Sequence, residues 1–188
     1  KIKYQATLVQ NSSLVIGKNG NNNYAYLDYS NNPYSKTSIQ TQKSQLVTVF
    51  TYGVEIKSVD KENSPLADSE FNITNNQGEI LHFKKGEEGE YYLTSSDDKD
   101  GVTNLIVNEE GKIYLKGLDE GQYSIKQIKA PNGYQISKDV YKLNLEDKDL
   151  DGEIDEEYNV IFINSKGFVL PVTGGNGTIA LVGISIVI

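Results

Sequence analysis

Five acidic side chains recur at every second position, Asp147, Asp149, Asp151, Glu153 and Asp155, with Gly152 in sixth place and Ile154 in eighth. Alternating oxygen ligands around a central Gly are the spacing with which a short loop wraps a calcium ion. The twelfth place holds Tyr158 where such loops carry a bidentate Glu, and Glu157 stands one residue early. The same residues also make an ordinary acidic, solvated turn between two strands. Calcium titration after chelator treatment separates the two readings, since a silent titration leaves only the turn.

Little else in the chain offers solution chemistry. There is no Cys, which removes disulfides, thiolate metal sites and a Cys nucleophile, and the one His, His82, has no second His with which to build a zinc site. Glu109-Glu110 and Glu156-Glu157 are neighbours in sequence, and in a strand neighbours face opposite ways, so they read as solvated surface. No cofactor is required, calcium being the one candidate, and no enzyme is expected. The 18 basic residues are all Lys, and against 26 Asp and Glu they leave a formal charge of -8, the wrong sign for a nucleic-acid partner.

These groups must be carried mainly by strands. Thirteen Tyr, frequent Val, Ile and Thr, and 17 Gly between short apolar runs favour an all-β protein, and no long stretch keeps a helical period. Residues 4–9, 24–29 and 46–52 are strand candidates separated by Asn- and Ser-rich turns. Three strands alone make a poor domain, so residues 1–53 are expected to be the closing part of a preceding β domain. Residues 54–165 have the length of a β-sandwich. In them Val54, Ile56 and Ser58 share one face, Phe71 and Ile73 alternate with Asn72, and later strands are expected at 113–115, 122–128, 140–145 and 158–164. Tyr24, Tyr26 and Tyr29 suit packing or a host-surface ligand. Residues 166–177 read as a linker and 178–188 as the start of an apolar segment shorter than the roughly 20 residues that span a bilayer. With no initiator Met or signal peptide before the first strand, the chain is expected to continue at both ends.

Leu170, Pro171, Val172, Thr173 and Gly174, followed by Gly175-Asn176-Gly177 and the apolar run, resemble the cell-wall sorting signal of Gram-positive surface proteins. The resemblance implies a secreted, wall-anchored protein held transiently at the membrane. It also implies that sortase cuts after Thr173 and joins it to a Lys of a neighbouring pilin or to peptidoglycan. Residues 65–71 (Pro-Leu-Ala-Asp-Ser-Glu-Phe) resemble the Pro-Leu-Ala-Gly-Ala-x-Phe stretch of SpaA-type pilin domains. Residues 117–123 (Gly-Leu-Asp-Glu-Gly-Gln-Tyr) and 130–134 (Ala-Pro-Asn-Gly-Tyr) resemble two further signatures of those domains, which have a prealbumin-like, CnaB-type fold. The implied function is a structural pilus subunit, the alternative being a wall-anchored adhesin or minor pilin with an upstream binding region.

Many domains of this family carry an internal amide bond between a Lys and an Asn, promoted by a buried acid. Asn164 matches the Asn. The Lys stands immediately before Val-Asp in the family, and here Ser58 precedes Val59-Asp60, with Lys57 one residue off. Strand alternation then turns Lys57 to the other face. The acid position holds Gln127, which donates hydrogen bonds but cannot shuttle a proton. The expectation is a neutral trio of Ser58, Gln127 and Asn164 in place of the bond. Asn31 and Asn32 are candidates for a bond of the preceding domain, or ordinary turn residues.

Overall fold

The computed structural model describes residues 8, 10–34, 37–147 and 158–167. Its strands are β1 (Asn21–Asn23), β2 (Tyr26–Ser30), β3 (Ile39–Lys43), β4 (Val47–Val49), β5 (Tyr52–Val59), β6 (Glu70–Asn75) and β7 (His82–Lys85). They continue as β8 (Glu90–Thr94), β9 (Gly101–Val102), β10 (Leu105–Ile106), β11 (Lys112–Leu118), β12 (Gly121–Lys129), β13 (Val140–Leu145) and β14 (Tyr158–Ile163). Among the described residues there is no helix.

Two sheets form the sandwich. One has the order β10-β6-β12-β13 and the other β14-β5-β11-β8-β7-β9. Their inner faces follow from period-two alternation: β5 turns Tyr52, Val54, Ile56 and Ser58 inward, and β12 does the same with Tyr123, Ile125 and Gln127. Phe71, Phe83, Tyr91, Leu105, Ile113, Leu115, Leu145 and Phe162 complete a continuous apolar core. Phe162 binds the sheets together, with its ring 4.7 Å from that of Phe71 and 4.6 Å from that of Tyr141.

The three signature stretches mark the places where the backbone must bend. Asp68 adopts φ 67°, a left-handed conformation that Asp tolerates, at the position where the resembled stretch has Gly. Gly117, at φ 84°, occupies a register shift in β11 between Lys116 and Leu118. A Cβ there would come within 3.0 Å of Leu14, a buried residue of the preceding segment. In the third stretch, the Tyr134 amide donates to the Pro131 carbonyl, closing a turn.

The single strand expected at 46–52 is instead two. β4 pairs with β1, and β5 with β11 and β14. Between them Thr51 turns inward, its carbonyl accepting from the Gly17 amide and its hydroxyl donating to the Val15 carbonyl. That is why the run breaks where its apolar pattern continues. The expected strand at 24–29 forms as β2, which among the described residues pairs only with β3. Both strands of that hairpin are exposed along their whole length, Tyr26 at 62%. Strand 4–9 lies outside the described residues but for Leu8.

The outer face of the six-stranded sheet carries the charge. Lys57 pairs with Glu55, Glu55 also meets Lys112, and Lys116 pairs with Glu90. The Lys116 ammonium, and after it the Tyr92 hydroxyl donating at 2.6 Å, hold the Glu90 carboxyl below its ordinary range. Burial, and then the hydrogen bond to Glu90, push the Tyr92 phenol up to about 12. A carboxyl with a depressed folded value stabilises above its unfolded value and loses that contribution as pH falls through the folded value. Glu90→Gln is therefore expected to cost about 1 kcal/mol at pH 7 in urea unfolding, with the gap to the parent closing as pH falls below roughly 4.

Candidate functional site

Four strands or strand ends deliver polar side chains to one buried point between the sheets. Ser58 comes from the inward face of β5, Ser69 from the turn into β6, Gln127 from β12, and Asn164 from the residue after β14. All four are at most 1% exposed. Each lies inside because its strand's alternation puts it there, in line with Ile56, Phe71, Ile125 and Phe162 respectively.

The four form one hydrogen-bonded cluster. Gln127 Nε2 donates to Asn164 Oδ1 at 2.8 Å and to Ser69 Oγ at 3.2 Å. Asn164 Nδ2 donates to Ser58 Oγ at 3.0 Å and lies 3.2 Å from the carbonyl oxygens of Val59 and Phe162. The Ser58 and Ser69 hydroxyls are 2.7 Å apart, either one donating. Gln127 Oε1 accepts the Ser137 amide at 2.7 Å, tying the loop after β12 to the cluster. Every member is neutral, so burial carries no ionic desolvation cost, and each amide group has its partners inside.

Ser58, Gln127 and Asn164 are thus brought together, and Lys57 is not with them. Its ammonium lies on the outer face of the sheet, 3.0 Å from Glu55, with the side chain 35% exposed. Ser69 is the member that the sequence reading did not single out. Its signal was a departure within the first signature, where Ser69 stands at the position of an Ala. Asn31 and Asn32 sit in an exposed turn, Asn31 Oδ1 accepting from the Ser38 hydroxyl and Asn32 Oδ1 from the Tyr34 amide. Tyr24 and Tyr29 are exposed on the β2–β3 hairpin side, with the Lys43 ammonium 3.5 Å from the centre of the Tyr24 ring.

The acidic loop from Asp149 to Asp155 and the Leu170 to Gly174 pentapeptide lie outside the described residues. Just after β14 the chain is held at residues 165 and 167. The Ser165 carbonyl accepts the Gln135 amide and the Gly167 amide donates to the Gly133 carbonyl, both at 2.8 Å. The third signature therefore fastens the strand by which the chain leaves the sandwich.

The cluster should be costly to break and the outer lysine cheap. Asn164→Ala leaves Gln127 and Ser58 without their buried partner and is expected to destabilise by about 3 kcal/mol in chemical unfolding. Lys57→Ala, which removes one partly exposed ion pair, is expected to change stability by less than about 0.5 kcal/mol. Equal effects at the two positions would contradict this placement.

Comparison with known proteins places the fold. Residues 52–158 match the family described as SpaA, prealbumin-like fold domain. The trypsin-resistant surface T6 protein of Streptococcus pyogenes serotype M6 is 28% identical over 155 residues, which cover 76% of this chain and 25% of that protein. The solved T6 backbone pilin superimposes with a TM-score of 0.51 at 22% identity, covering 71% of this chain and 26% of that one. A minor pilin of Streptococcus agalactiae gives a TM-score of 0.50 at 25% identity, covering 65% of this chain and 47% of that one. The chain thus spans about a quarter of the T6 protein. With more than half of its residues inside the matched region, three signatures at the bends of the sandwich and an all-β, prealbumin-like architecture, this chain belongs to the SpaA prealbumin-like domain family of Gram-positive pilins.

Proposed function

We propose that this chain is part of a structural pilus subunit, not an enzyme, and that sortase cleaves it after Thr173 and joins it covalently to its neighbour. The observation that carries the reading is the order of parts: a SpaA-type domain, then Leu170-Pro171-Val172-Thr173-Gly174, then an apolar run. A sortase Cys thiolate adds to the Thr173 carbonyl and expels the Gly174 amine, leaving a thioester. The amine of a neighbouring Lys, or of a peptidoglycan cross-bridge, then displaces the thiolate and forms a new amide at Thr173. Pro171 restricts the peptide before it enters the enzyme groove, which lowers the entropy cost of binding. The product is a subunit at the cell-wall surface. Its partners are sortase, other pilin subunits or peptidoglycan, and any host ligand of the longer protein.

The same proposal includes a last domain without an internal Lys-to-Asn bond. Supporting it are the outward, ion-paired Lys57 and the amide of Gln127 in place of an acid. A carboxyl could polarise the Asn carbonyl and carry protons between the two groups, whereas Gln127 already donates both amide hydrogens and has no proton to transfer.

Two mass measurements test these statements. Incubation with pilus-class and housekeeping sortases is expected to yield a product joined through Thr173. A link to a Lys of an identical subunit establishes a backbone pilin, and a link only to wall peptide or to another subunit favours the minor-pilin or adhesin alternative. An uncleaved Thr173-Gly174 bond overturns the reading. The intact mass of the purified chain is expected to equal that of its sequence; a deficit of one ammonia with a Lys57–Asn164 crosslinked peptide sinks the second statement.

A further inference from the structure

The chain enters the sandwich along β5 and leaves it along β14, and these two strands are direct neighbours. They run parallel, in register from Tyr158 opposite Val54 to Ile163 opposite Val59. Parallel neighbours place the start of one and the end of the other at opposite ends of their shared ladder, here six residue pairs or about 20 Å long. Tension between the two chain ends then slides β14 along β5 and loads all the bonds of the ladder together. In a peeling geometry the same bonds would be loaded one after another, at lower force.

We propose that this domain is a mechanical latch: a hydrogen-bonded shear joint between β5 and β14 that resists pulling along the fibre and yields above a threshold by unfolding. The inference rests on the reading of the chain as a subunit linked through Thr173 and lacking the internal amide bond. β5 cannot slide, because β11 holds its other side over Tyr52 to Lys57. Among the described residues β14 is an edge strand, bonded within the sheets to β5 alone. It is the strand that must give.

The exit end of the ladder is reinforced at Asn164. The Asn164 amide donates to the Val59 carbonyl at 2.8 Å, and its side chain is held by Ser58 in one sheet and Gln127 in the other. Phe162, 1% exposed, must leave the core before β14 can slide by one pair. The buried cluster therefore stands at the end of the ladder where tension enters β14. With Lys57 outside, only non-covalent bonds need to break, and opening residues 52–164 lengthens the tether by roughly 350 Å. A single covalent tie between the same two strands would make the domain inextensible.

The absence of native Cys lets introduced pairs serve as unique handles on the full chain. Gln45→Cys with Lys166→Cys, both exposed, pulls β5 and β14 in shear; Lys61→Cys with Lys166→Cys pulls the matching ends of the two parallel strands apart and peels them. Single-molecule stretching is expected to show one extension step near roughly 350 Å in the shear pair, at a force several-fold above that of the peeling pair. Ser58→Ala, milder than Asn164→Ala, is expected to lower the force in both directions, because its contact with Asn164 lies at the exit end that both handle pairs load. Equal forces in the two directions, or a shear tether that stays short until the handles fail, would overturn the proposal. The intact mass of the same sample separates the causes. An ammonia deficit places the failure in the missing-bond premise, and full mass places it in the shear joint, while the sortase product tests the linkage at Thr173 independently.

Discussion

The structure depends on one constraint: a chain that enters and leaves a two-sheet sandwich on adjacent strands must fasten the pair at its exit end, where one of the two lies at the sheet edge. Among the described residues β14 has a single pairing partner, so its position rests on β5, on Phe162 in the core and on Asn164 at its end. Asn164 can hold that end because it is buried where both of its amide groups are met by fixed partners. A primary amide inside a protein is an asset only when satisfied, and here the partners come from both sheets. The cluster is a polar bolt through an otherwise apolar core.

The electrostatics follow from the same alternation. Because Lys57 is one residue from Ser58, the strand sends the hydroxyl inward and the ammonium outward, into a ladder with Glu55 and Lys112. No ionisable carboxyl or amine enters the cluster. Two groups outside the cluster sense their surroundings: the Tyr52 phenol is pushed up to about 12, chiefly by burial and then by Glu120, and Glu90 is held down by Lys116. Both therefore keep one protonation state through the neutral range, and acid reaches the fold through its outer ion pairs before its interior.

Much of the sandwich was legible because its constraints are local. Asp68, Gly117 and the Pro131 turn are bends that few residues satisfy, and they fall in the three stretches that carried the family resemblance. The long strands β5, β12 and β13 alternate clearly enough to be read from the sequence. β7, β8, β9 and β10 were not read. Two of them are only two residues long, and β8 takes its place by pairing parallel to β11, a contact that no local pattern encodes. The break between β4 and β5 was hidden for a similar reason, since Thr51 is turned inward by Gly17 and Val15, more than thirty residues earlier in the chain.

The site was legible in its members but not in its logic. Ser58, Gln127 and Asn164 could be placed on inward faces by counting, yet three such residues leave the Ser58 hydroxyl facing the space that a longer side chain would fill. Ser69 resolves this. Its hydroxyl lies within hydrogen-bond distance of both Ser58 and Gln127, closing a cluster that an Ala at that position would leave open. Two departures from the resembled pattern, Ser for Lys at 58 and Ser for Ala at 69, are therefore one structural change. An unpaired buried donor costs on the order of 1–3 kcal/mol, a cost that the Ser58–Ser69 contact avoids. The cluster thereby ties β5 and β14 to each other and to β12 through hydrogen bonds.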